Sequence, residues 1–137
     1  MLRKVLGGIA GFVTTFATIM LVQALGHAIY PPPELDLSDP SGHSAFLESL
    51  TVGALAFVLL AYFAGAFLGP FVAKWLGGGS GKPYAFLLGG FVLAGTLFTV
   101  YQIPHPPWFI VAAVIGIPIV AWFGAKLGPN RVSTVAP

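Results

Sequence analysis

The chain contains no cysteine and very little charge. The first absence excludes disulfides, thiol redox chemistry, iron–sulfur ligation and covalent haem attachment. The second reaches further. Only 7% of the residues are charged, whereas soluble domains carry about 25%. A soluble fold of 137 residues has no means of covering its surface with so few. Acidic side chains are scarcest: Glu34, Asp36, Asp39 and Glu48 are the only four, all in one stretch. The net charge of +2 is too small to argue for nucleic acid as a partner. What is abundant is apolar: 57% of the chain is hydrophobic and the mean hydropathy is +0.92. The solvent for such a chain is lipid. It reads as one integral membrane domain over residues 1–137, with the lipid bilayer as its first partner.

Four apolar runs are separated by proline and glycine punctuation. After the cationic lead Met1–Lys4, the first run extends from Val5 to Tyr30. At about 1.5 Å per residue this is roughly 39 Å, enough to cross a ~30 Å hydrocarbon core with tilt. A signal peptide has a shorter apolar core, so the run reads as a retained first helix. Pro31-Pro32-Pro33 ends it, and an exterior loop over 31–40 follows. Asp39-Pro40 reads as an N-cap with proline at the first helical position, which predicts a second helix over about 41–75. Pro70 should kink it. Gly77–Lys82 (GGGSGK) is a cytoplasmic loop within 76–82. It misses the phosphate-loop spacing because Lys82 precedes proline, so it reads as a glycine-rich turn. The third helix is predicted over about 83–103 and the fourth over about 108–127, kinked at Pro118 and separated by the rigid turn Pro104-His105-Pro106-Pro107. A cytoplasmic tail covers 128–137.

With four spans, the six cations Arg3, Lys4, Lys74, Lys82, Lys126 and Arg131 fall at one end and all four acids at the other. The positive-inside rule weighs Lys and Arg in short loops, so both termini are expected in the cytoplasm. Tyr30, Trp75, Tyr84, Trp108 and Trp122 are expected at the membrane interfaces.

Small residues at i, i+4 let helix backbones approach where lipid supplies no hydrophobic drive. Gly7 and Gly11, Gly65 and Gly69, and Gly124 and Gly128 are the candidate packing pairs. On the second helix Glu48, Thr51, Leu55, Val58, Tyr62, Gly65 and Gly69 share a face that should point into the bundle. Gly95, Thr99 and Gln102 make a similar face on the third. On the first, Gly7, Gly11, Thr14 and Thr18 form one stripe while Gln23 and His27 project from the other side. That pattern suits a helix that is central in the bundle or touches another subunit. The segments Gln23…His27…Pro31 and Gln102…His105-Pro106, with Ala73-Lys74 and Ala125-Lys126, suggest two hairpins related as a parallel repeat. The expected fold is an all-α membrane protein, a compact bundle of four transmembrane helices.

The chemistry-bearing residues gather at the exterior end: His27, His43, His105, Glu34 and Glu48, with Gln23 and Gln102 about one turn deeper. Imidazole and carboxylate together suit a divalent metal, with His27, Glu48 and His105 as the candidate ligands because helix ends hold side chains better than loops do. Histidine near its ordinary pKa also suits proton handling. Set against both is a structural reading, in which His27 caps its helix and His105 holds its turn by donating to a carbonyl. No metalloprotease spacing is present. The two glutamines are expected to bond to each other or to His27 and Tyr101, or to floor a polar cavity. A small multidrug exporter is disfavoured because the first helix carries no acid. Bis-histidine haem ligation is disfavoured because the histidines lie at helix ends.

Gly26-His27-Ala28-Ile29-Tyr30-Pro31-Pro32-Pro33, Asp39-Pro40 and Ile103-Pro104-His105-Pro106 with Trp108-Phe109 resemble a family of small, uncharacterised bacterial inner-membrane proteins. That resemblance covers most of the chain and implies a four-span architecture in the bacterial inner membrane; it transfers no activity. The function expected is a non-enzymatic accessory or interaction subunit, as a homo-oligomer or with a partner membrane subunit, and without a cofactor. The alternatives are a transporter or channel with an exterior polar vestibule, and a metal-dependent enzyme or sensor.

Overall fold

The computed structural model describes residues 1–31, 51–103 and 105–130. They form four helices, each long and apolar enough to cross a membrane, so the protein is a multi-pass helical bundle. Helix α1 spans Leu2–Ile29 and α2 spans Val52–Gly77. Helix α3 covers Lys82–Gln102. It opens with the turn Lys82–Tyr84, widens into a π-helical segment at Ala85–Gly89 and continues as α-helix from Gly90 to Gln102. Helix α4 spans Pro107–Leu127.

The starts of these helices follow from their first residues. α1 begins at Leu2, so Arg3 and Lys4 are helical rather than a lead. α2 begins eleven residues later than the 41–75 assignment. Thr51 is extended (φ −69°, ψ 155°) and its hydroxyl accepts from the Ala54 amide at 3.2 Å. This is an N-cap, so the spanning helix starts at Val52. The earlier cap at Asp39-Pro40 and residues 41–50 lie outside the described residues. Proline occupies the first turn of both α3 and α4, where its missing N–H has no partner to lose. Pro70 and Pro118 lie inside helices that run through them without a break.

α2 is the hub of the bundle. It packs along its length on α1 and on α4, α4 packs on α3, and the first half of α3 also touches α2. The first helix is therefore a flank and not central. Its buried residues are only Gly7, Gly11, Thr15 and Gly26. The order α1–α2–α4–α3 is the one a parallel repeat of hairpins requires, with α2 and α4 side by side. The contacts are not repeated, however.

Between α1 and α2 the contact is glycine against glycine. A Cβ on Gly7 would stand 2.5 Å from Gly77 Cα, and one on Gly11 would stand 2.6 Å from Gly69 O. One on Gly65 would stand 2.6 Å from Ile19 Cγ1. Each four-residue step up α1 meets a four-residue step down α2, the register of an antiparallel pair. Between α2 and α4 the contact is ring against glycine. Phe63 faces Gly116, and the backbone at Phe67 and Phe71 lies against Gly124 and Gly128. All six predicted packing glycines are thus used, and α2 uses one face for each neighbour.

The core proper lies among α2, α3 and α4: Leu55, Leu59, Ala66, Val92, Phe109, Ala113, Ile117 and Ala121. The α2 face predicted to point inward does so from Leu55 to Gly69. The α3 face predicted from Gly95, Thr99 and Gln102 does not: Gly95 and Gln102 are exposed, and α3 buries Val92 and Thr96 instead. The wider π-helical turn at Ala85–Gly89 precedes this face and advances its phase by more than 3.6 residues per turn.

Candidate functional site

Two places have the character of a site, one at each end of the bundle. The end that carries His27 and His105 is the one the sequence singles out. Gln23 and His27 stand on the last turns of α1, Gln23 half-buried and His27 exposed. Gln102 ends α3 and is exposed. His105, half-buried in the turn before α4, has Nδ1 2.6 Å from Ile103 O and its ring 4.7 Å from Phe109. Nδ1–H therefore donates to that carbonyl, and Nε2 is left as the acceptor nitrogen. This is the turn-holding role foreseen for it.

Glu34, His43 and Glu48 lie outside the described residues, and with them the carboxylate of the proposed metal trio. Among the described residues no three histidine or acidic side chains stand together as a metal set. The glutamine pair is not brought together either. α1 keeps to α2 and the outer half of α3 keeps to α4, with at most marginal contact between α1 and that half. Tyr101, offered as a glutamine partner, is 88% exposed.

The second place lies at the cationic end, between α1 and the start of α3. A groove of about 650 Å³ opens there, within the ~300–1,000 Å³ range of ligand pockets. One end is polar, made by Lys4, Ser80 and the backbone of the Gly78–Gly81 loop. The walls beyond are apolar: Val5 and Ile9 from α1, Leu87 and Leu88 from α3. Phe12 and Phe91 close the inner end with rings 5.0 Å apart, edge to face. The floor is Tyr84. It is buried, its ring beside Gly77 and its hydroxyl donating to Lys4 O at 3.3 Å.

The loop takes its shape from glycine: Gly78, Gly79 and Gly81 have φ of 75°, 87° and 79°, values that cost an L side chain dearly. Nothing lies within 4 Å of a Cβ position at Gly78 or Gly79; the Gly78 amide donates to Lys74 O at 2.7 Å, and Gly79 is exposed. Three other cations of this end have fixed tasks. Arg3 Nε donates to Leu76 O at 2.9 Å, and Lys74 Nζ to Lys126 O at 3.2 Å. Lys126 lies over the Trp122 ring at 4.8 Å. No carboxylate side chain occurs among the described residues, since all four acids fall between 34 and 48.

Sequence reasoning missed this groove because its halves are far apart in the chain. Lys4 read as part of a leader and GGGSGK as a turn. The available signal was the pairing of a cationic helix start with the glycine loop on the same side of the membrane.

Comparison of the chain with protein-family models, with curated proteins and with solved structures finds no match.

Proposed function

We propose that the protein is a non-enzymatic accessory or interaction subunit of a bacterial inner membrane, with both termini in the cytoplasm, acting through lateral helix association as a homo-oligomer. The observation that carries this reading is the closed interior together with an open face on α3. The interior among α2, α3 and α4 is aliphatic and aromatic. Among the described residues the buried threonines, Thr15 and Thr96, spend their hydroxyls on the carbonyls of Gly11 and Val92 in their own helices. A polar conduit would need side chains aimed between helices, and the described residues supply none there. On the outer surface of α3, Gly90 and Gly95 have nothing within 4 Å of a Cβ position. Gly7, Gly11, Gly65, Gly69, Gly116 and Gly124, by contrast, are covered by a neighbouring helix.

Cysteine cross-linking in isolated membranes tests this, and the cysteine-free chain supplies a clean background. Gly95→Cys should give a copper-catalysed covalent dimer, and Ile115→Cys, on the exposed side of α4, should not. Ion flux in proteoliposomes above the protein-free level, with no dimer at Gly95→Cys, would replace this reading with the transporter.

A further inference from the structure

We infer that the groove between α1 and α3 is a binding site for an anionic phospholipid, with one acyl chain along the groove and the phosphate at its polar mouth. This goes beyond the subunit reading, and it concerns the cationic end of α1 and α3 rather than the stretch of α3 around Gly95.

The polarity of the groove is ordered as a lipid is. Lys4, Ser80 and the exposed backbone of Gly79 sit at one end. From Lys4 to Phe12 the wall runs about 12 Å along α1, through Val5 and Ile9 to the Phe12–Phe91 closure. This places the polar end at the level of the headgroups and the closed end toward the membrane centre. The apolar walls are exposed, Leu87 at 71%, so the groove opens sideways into the hydrocarbon. A water-filled groove would leave that surface wet at the depth where acyl chains are available.

Charge selects the headgroup. Lys4 at the mouth has no carboxylate among the described residues to neutralise it, while Arg3, Lys74 and Lys126 are already engaged. A lysine near an anionic lipid surface contributes about 1 kcal/mol, or roughly a fivefold preference per lysine.

Native mass spectrometry of the full chain in detergent, with equimolar dioleoyl phosphatidylglycerol and dioleoyl phosphatidylcholine, tests the site. The wild-type protein should retain phosphatidylglycerol over phosphatidylcholine by about fivefold or more. Lys4→Gln should reduce that preference about fivefold. Gly8→Leu should remove retention of both lipids by filling the groove. Its Cβ meets only Tyr84 Cε1 at 3.9 Å, so the backbone accepts it. Leu87→Trp is a second filling variant, built from an exposed wall. Ile115→Ala, on the exposed side of α4, should bind as the wild type does. Equal retention of the two lipids by the wild type would overturn the proposal. So would unchanged retention in both filling variants, or displacement by glycerol 3-phosphate, which would mark an anion site without a chain site. Loss of the Gly95→Cys dimer leaves these readings untouched, so the two proposals fail separately.

Discussion

Gly7 of α1 and Gly77 of α2 meet backbone to backbone: a Cβ on Gly7 would stand 2.5 Å from both the Cα and the N of Gly77. This contact and its successors at Gly11, Thr15 and Ile19 hold α1 to the bundle, since α1 buries only Gly7, Gly11, Thr15 and Gly26 and packs Ile19 against the core. Adhesion of this kind is dispersion between close surfaces, and it falls away within an ångström of separation.

Gly7→Ala and Gly11→Ala should each destabilise the protein by about 1–3 kcal/mol, the cost of overpacking a close contact. Gly90→Ala should be neutral or stabilising by up to about 1 kcal/mol, because its surroundings are open and alanine is the better helix former. Unfolding in detergent, followed by far-UV circular dichroism, measures the difference. Equal effects at Gly7 and Gly90 would contradict the α1–α2 contact.

The α2–α4 interface distinguishes two kinds of glycine. Gly116 faces the far end of the Phe63 ring, which can turn aside. Gly124 faces the backbone of Phe67, with the carbonyl carbon 2.9 Å from a Cβ position. Gly124→Ala should therefore cost at least ~1 kcal/mol more than Gly116→Ala in the same assay. The reverse order would place α4 in another register.

Thr96 is buried among apolar side chains, but its hydroxyl donates to Val92 O at 2.8 Å, within its own helix. A bond made locally serves the hydroxyl and not the bundle. Thr96→Val, which replaces the hydroxyl with a methyl of similar shape, should change stability by less than about 1 kcal/mol. A loss of several times that size would reveal a partner across the interface.

The proposed orientation puts Ser80 in the cytoplasm and Ser38 outside. In intact cells a membrane-impermeant maleimide should label Ser38→Cys, and should label Ser80→Cys only after the membrane is broken. Labelling of both from one side would overturn the orientation.

His105 is tied to its own turn through Ile103 O. Zinc should therefore raise the melting temperature of the wild type no more than that of the His27→Ala, His105→Ala double variant. A zinc-dependent rise confined to the wild type would restore the metal reading for His27, Glu48 and His105.

The sequence by itself determined the solvent, the number of spans and which ends share a side. These follow from hydropathy summed over whole runs and from the separation of cations from acids. It also identified the glycines used in packing, because close approach of helices in lipid has few other solutions. It did not determine which helix is central, since every apolar face looks alike when lipid and protein interior are equally apolar. Only tertiary structure made α2 the hub and α1 a flank. It also turned Gly95 outward after a π-helical segment that no residue pattern announced, and packed Tyr84 against Gly77. The groove at Lys4 depends on it entirely. Its walls come from segments remote in the chain, and they meet only because glycines at 7, 11, 69 and 77 let α1 settle against α2 within reach of α3.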